Sequence, residues 1–84
     1  MRRKSLLTPQ QKNVLALAAT GKSNAEIAEE LVLGKRTVDA HLRNVFVVLG
    51  VNDRASAVVL AIHYGEIDLR AAASAILAKI SHTD

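Results

Sequence analysis

The sequence has no cysteine and no tryptophan, a single proline, and only two aromatic residues, Phe46 and Tyr64. Without cysteine there are no disulfide staples and no thiolate metal sites, which is compatible with a reducing cytoplasm. Scarce aromatics leave Leu, Val, Ile and Ala to build the core, which suits close-packed short helices better than a β-sandwich. No uninterrupted apolar run approaches the length of a membrane-spanning helix, so no membrane partner is expected. The opening Met1-Arg2-Arg3-Lys4 is basic, but Ser5-Leu6-Leu7 is too short for the apolar stretch of a secretory signal, and the segment reads as a solvated arm. Nucleophile elbows, phosphate-cradling glycine loops and metal-ligand pairs are missing too. His63 and His82 lack a partner at ligand spacing. No enzyme activity, cofactor or metal is expected.

What is present is apolar material and unevenly placed charge. Half of the 84 residues are hydrophobic, enough for one domain with one economical core. Through Arg54, nine Lys and Arg stand against five acids, Glu26, Glu29, Glu30, Asp39 and Asp53, so the first 54 residues carry +4. The remainder, with Arg70 and Lys79 against Glu66, Asp68 and Asp84, carries −1. A basic front half is the footprint of a polyanion binder, although ordinary solubilising charge has the same look.

Helix signals follow one another closely. Thr8-Pro9-Gln10-Gln11 combines an N-cap, a first-turn proline and a capping-box glutamine. Val14, Leu15 and Ala18 form its apolar stripe, and Gly21 closes it. Ser23-Asn24-Ala25-Glu26 is a second capping box, opening a helix of about eight or nine residues with Ile27, Ala28 and Leu31 inward and Glu26, Glu29 and Glu30 outward. So short a helix depends on tertiary packing. Val32-Leu33-Gly34 interrupts the pattern. Val38, Leu42, Val45, Phe46 and Leu49 then mark a buried stripe from about Lys35 to Leu49, with Gly34 as a weak cap and Gly50 as the closure. Asn52 or Asp53 caps a fourth helix with Ala57, Val58, Ala61 and Ile62 inward, ending near Gly65. Asp68 caps a last amphipathic helix carrying Leu69, Ala72, Ala73, Ile76, Leu77 and Ile80, with a polar tail from Ser81 to Asp84.

The second and third helices, joined by a tight turn, meet the requirements of a helix-turn-helix. One face of the later helix must dock on its partner, and the opposite face must reach base edges and phosphates. Opposite the buried stripe lie Arg36, Asp39, Ala40, Arg43 and Val47. Arg43 suits a guanine edge held bidentately, and Asp39 suits a cytosine amino group. Ala40 permits close approach or touches a thymine methyl. Lys35, Arg36 and Thr37 stand at a helix start, where free amides and the dipole favour phosphate, as do Lys22, Ser23 and Asn24 at the preceding one. His41 is assigned to helix packing or to a polar contact near this face. Arg54, whose charge opposes the dipole at its own helix start, is read either as a phosphate contact or as pairing with Asp53 or another nearby carboxylate.

These segments resemble the LuxR/NarL-type helix-turn-helix domain of bacterial response regulators and quorum-sensing regulators. The resemblance runs from about Leu7 to Ile67. Leu7-Thr8-Pro9, Gly21 with Ser23-Asn24, Glu26-Ile27-Ala28, Thr37-Val38, His41-Leu42, Leu49-Gly50-Val51, and Arg54 with Ala57-Val58 carry it. It implies an all-α, four-helix LuxR-type bundle, here with an additional C-terminal helix. The third helix is then expected to read double-stranded DNA and the fourth to form a dimer contact. The sequence departs from the pattern in three ways. Asp39 stands where lysine or a neutral polar residue is usual, which subtracts attraction to DNA. Val47 and Val48 replace a polar, often basic pair, and Gly34 replaces a Ser or Thr cap.

The expected organisation is a DNA-binding domain over residues 5–67, with the motif at about 23–42, and a C-terminal amphipathic helix and tail over 68–84. The expected function is sequence-specific DNA binding for transcription regulation, as a cytoplasmic, nucleoid-associated homodimer. The domain is expected to be either a stand-alone regulator or part of a longer chain with a receiver or sensor domain. Val59, Tyr64, Leu69, Ala73, Ile76 and Ile80 are the dimer-surface candidates. The last helix folding back over the exposed valines is the open alternative. Two other functions compete: a sigma-factor-like promoter-reading domain, and a helical protein-interaction module that keeps the fold without DNA affinity. Leu49-Gly50-Val51 and the Arg54 helix argue against the first; Asp39 and the valine pair are the support for the second.

Overall fold

The computed structural model describes residues 5–68 together with Arg70, Ala73, Ser74, Leu77 and Ala78. Over residues 5–68 four helices follow in order: α1, Pro9–Ala19; α2, Asn24–Leu31; α3, Lys35–Leu49; and α4, Arg54–His63. No strand occurs among the described residues. Each helix starts where a side chain or backbone can satisfy its orphan amides. Thr8 Oγ1 accepts from the Gln11 amide at 3.1 Å, and Gln11 Oε1 accepts from the Thr8 amide at 2.9 Å. Ser23 and Glu26 repeat that reciprocal arrangement at 3.1 and 2.8 Å. Of the two expected caps for α4, the structure selects Asp53, whose carboxylate accepts from the Ser56 amide and hydroxyl, both at 2.9 Å. These bonds, the amide foremost, hold the Asp53 carboxyl below its ordinary 3.8. Gly34 caps α3 without a side-chain bond, as its lack of a side chain requires.

The core is aliphatic, as the shortage of aromatics demands. Val14, Leu15 and Ala18 of α1 meet Ile27 and Ala28 of α2, Val38, Leu42 and Val45 of α3, and Ala57 and Ala61 of α4. Phe46, Leu49, Val58 and Ile62 pack against this centre half-buried. Burying a Leu or Ile side chain contributes roughly 1.5–3 kcal/mol, which is how helices as short as α2 become stable here. Leu7 and Ile67, outside the helices, complete the core. Beyond α4, Arg70, Ala73, Ser74, Leu77 and Ala78 are helical and exposed.

The turn between α2 and α3 closes in an unexpected way. The Leu33 amide donates to the Ala28 carbonyl at 2.8 Å, six residues closing on one, while Val32 takes the left-handed conformation at φ 56°. Glycines fill the corresponding place after the other three helices, among them Gly50 at φ 69°. A β-branched residue there crowds its own backbone, at a cost of roughly 1–2 kcal/mol. Val32 is 88% exposed, so removing its side chain forfeits almost no packing. We therefore expect Val32→Gly to stabilise the domain by about 0.5–1 kcal/mol after the extra flexibility of glycine is subtracted. Equilibrium urea unfolding measures it, and a loss of stability in the variant would contradict the strain assigned to this turn.

Candidate nucleic-acid interface

The long helix α3 divides sharply into two faces. Val38, Leu42 and Val45 are buried, while Lys35, Arg36, Thr37, Ala40 and Arg43 are exposed. Arg36, Ala40, Arg43 and Val47 recur at steps of four, three and four, so they share one outward stripe. Val47 is 75% exposed at its far end. At the start of α3 no side chain caps the helix, and Lys35, Arg36 and Thr37 surround that end. The start of α2 lies beside it. There Ser23 is exposed but its Oγ already serves the cap, and Lys22 Nζ pairs with Glu30 at 3.4 Å. Half-exposed pairs of this kind are weak and leave the ammonium available to a stronger anion.

Three expected contact residues are drawn together instead of standing separately. Asn24 Nδ2 donates to Asp39 Oδ1 at 2.6 Å, across the turn from α2 to α3. The Arg54 guanidinium at the start of α4 donates through Nη2 to Asn24 Oδ1, and through Nη1 to the Lys22 carbonyl at 2.7 Å. Lys35 Nζ lies 3.5 Å from the other Asp39 oxygen. One polar relay thus joins α4, α2 and α3 beside a shallow cleft of about 450 Å³ lined by Asn24, Asp39, Leu42, Arg43, Phe46 and Arg54. The Asn24 hydrogen bond is the main cause holding the Asp39 carboxyl below its ordinary value; desolvation opposes it, and Lys35 and then Arg43 add to the lowering. Asp39 is therefore ionised at neutral pH.

The relay removes one of the two alternatives left open for Arg54, pairing with a carboxylate. Among the described residues Arg54 pairs with neither Asp53 nor another carboxylate; the Asp53 oxygens are taken by Ser56, and Arg54 bonds a backbone carbonyl and an amide oxygen. The sequence also gave no hint of Glu66. This residue is buried, and its Oε1 accepts from the Leu6 and Leu7 amides at 3.1 and 2.9 Å, with Lys12 Nζ at 3.9 Å. Its partners lie 59 and 60 residues earlier, a separation that no local pattern reveals.

Among the dimer-surface candidates, Val59 is 65% exposed and Tyr64 borders on exposed, its ring edge-on to His63 at a centroid distance of 5.0 Å. Val59 also borders a shallow apolar depression with Val51, Ala55, Ser56 and Leu60. Ala73 is exposed, whereas Leu69, Ile76 and Ile80 lie outside the described residues. No single helix among the described residues is long and apolar enough to cross a membrane, and no cluster of three metal-ligating side chains occurs among them.

The model of the luxR family of bacterial regulatory proteins matches residues 5–61. The chain belongs to this luxR family. It is 39% identical over 66 residues to the spore germination protein GerE of Bacillus subtilis (strain 168), covering 79% of this chain and 89% of GerE. It is 43% identical over 65 residues to the quorum sensing-dependent transcriptional regulator VjbR of Brucella abortus (strain 2308). That match covers 77% of this chain but only 25% of VjbR, so the chain spans about a quarter of such a regulator. The solved structure of the transcription factor GerE superposes with a TM-score of 0.75 at 30% identity, covering 79% of this chain and 98% of that one. Fold and membership make this luxR-family chain an all-α helix-turn-helix domain for DNA-binding transcription regulation. The family is one of regulators and not of enzymes.

Proposed function

We propose that the chain reads duplex DNA by laying α3 in the major groove, with Arg43, Ala40 and Asp39 towards base edges and Lys35, Arg36, Thr37, Lys22 and Ser23 along the phosphates. The carrying observation is the α3 stripe of Arg36, Ala40 and Arg43, exposed directly opposite buried Val38, Leu42 and Val45. A helix so divided is held rigidly by its apolar face while its polar face stays free for a ligand. Residues 5–67 are the binding unit and 68–84 an appended segment. The unit performs no chemical step and works in the bacterial cytoplasm on the nucleoid. It pairs on DNA as a homodimer through exposed Val59 of α4 and Tyr64 just after it, with Ala73 as a further candidate; Leu69, Ile76 and Ile80 lie outside the described residues. A receiver or sensor domain in a longer native chain supplies the controlling signal.

Affinity for duplex DNA is expected to fall steeply with salt. A protomer meeting on the order of four phosphates gives a log–log slope of roughly −3 to −4. Fluorescence anisotropy with a random-sequence duplex pool, then with the duplexes selected from it, measures the slope. Sedimentation of the complex counts chains per duplex, and two are expected. A flat salt response, or no binding at low salt, would refute DNA reading; a single chain per selected duplex would refute the pairing alone.

A further inference from the structure

We infer that Arg54 and Asn24 are positioning residues that determine which base α3 selects through Asp39, and are not themselves contacts to the DNA backbone. The inference rests on the DNA-reading role proposed above and deepens it. Asp39 is an acid on the reading helix, one turn after Lys35 and one turn before Arg43. A short carboxylate between two cations at four-residue spacing is able to pair with either of them. Here Oδ1 accepts from Asn24 Nδ2 at 2.6 Å, which turns the carboxylate towards α2, while Oδ2 accepts a longer bond from Lys35 Nζ at 3.5 Å.

Asn24 has two ways to place its amide, and Arg54 removes the choice. By donating to Asn24 Oδ1, the guanidinium obliges the Asn24 nitrogen to face Asp39. Arg54 is fixed in turn by the Lys22 carbonyl at 2.7 Å, so its planar fork bridges two acceptors in a way that lysine cannot copy. Both ends of the Asn24 amide and two guanidinium nitrogens are thereby engaged inside the protein. The Asp39 side chain stays 35% exposed. An ionised carboxylate has about four acceptor positions, so capacity remains for a donor edge, cytosine N4 or adenine N6, whereas guanine and thymine present oxygen acceptors there. The relay also keeps Asp39 from capturing Arg43, whose guanidinium must stay free to reach its own base. Position 39 thus becomes a fixed acceptor instead of a mobile charge.

The test uses the full chain and a random-sequence duplex pool, comparing recovered base preferences of the wild type with Arg54→Ala, Asn24→Ala, Asp39→Ala and the Arg54→Ala/Asp39→Ala pair. Asn24→Ala leaves Arg54 on the Lys22 carbonyl, so it breaks the relay even if Arg54→Ala folds poorly. The expected result is that Arg54→Ala and Asn24→Ala each shift preference about fivefold or more at the base pair that Asp39→Ala also alters, the low end of base-edge discrimination. The salt slope stays unchanged, and in the Asp39→Ala background Arg54→Ala shifts preference no further. Uniform weakening on all duplexes with a slope smaller by about one would mark Arg54 as a phosphate contact and overturn the inference. Binding by the wild type with preferences untouched by either relay variant overturns it while sparing DNA reading; a wild type that selects no duplex overturns both.

Discussion

Replacing Arg43 by alanine is expected to weaken binding to the preferred duplex by about 1–3 kcal/mol and to relax selection at a single base pair. Arg43 stands exposed in the middle of the α3 stripe, one turn beyond Asp39 and clear of the core. A guanidinium there presents two parallel donors, matching the two acceptors of a guanine edge. Lys35→Ala is the control. Its ammonium sits at the helix start with its side chain 64% exposed, suited to a phosphate but too far back to read a base. Its loss should weaken all duplexes similarly and reduce the salt slope by about one. The two variants are compared by titrating the selected duplex and its single-base substitutions at several salt concentrations. If both variants lose affinity equally on every sequence, Arg43 holds phosphate and base selection lies elsewhere on α3.

Glu66→Ala is expected to cost the fold about 2–4 kcal/mol, the largest loss foreseen for any polar residue of this domain. The Glu66 carboxylate satisfies two backbone amides of the segment entering α1, one of them on buried Leu7. Truncation would leave those donors facing an apolar hole and release Leu7 from the core. Bonds from neutral donors to a charged acceptor are each worth about 1.5–3 kcal/mol, and the Lys12 contact at 3.9 Å, partly solvated, adds little. A domain of this size would lose roughly 10–25 °C of melting temperature. Glu66→Gln keeps an acceptor oxygen in place and should lose less than half as much. Thermal unfolding followed by circular dichroism decides the matter. Equal, small losses for both substitutions would show that Glu66 tolerates the core without holding its entry segment.

The four helices, their starts and the two-faced character of α3 were legible in the linear sequence because each depends on residues within about one or two turns. A capping box is written in three consecutive steps, as in Ser23 to Glu26, and an apolar stripe repeats at the pitch of the helix, as in Val38, Leu42 and Val45. Helix ends were nearly as clear wherever glycine marked them. Val32 breaks that rule, since a β-branched residue carries no signal for a left-handed turn; only the docking of Leu33 and the packing of α2 against α3 force it there.

The roles of the polar residues were decided elsewhere. From spacing alone, Asn24, Asp39 and Arg54 are three independent groups at three helix starts or faces, Asn24 and Asp39 facing DNA and Arg54 facing either a phosphate or a carboxylate. Tertiary packing brings the starts of α2 and α4 to the same side of α3, and the three become one relay whose donors and acceptors fit in only one order. Glu66 shows the same limit more strongly, for nothing near it in the chain distinguishes a buried anchor from a solvated acid. Local periodicity is set by backbone geometry and survives in one dimension. Hydrogen-bond partnership depends on distances across the fold, 15 residues apart for Asn24 and Asp39 and 60 for Leu6 and Glu66, which exist only after the apolar faces have chosen how to pack.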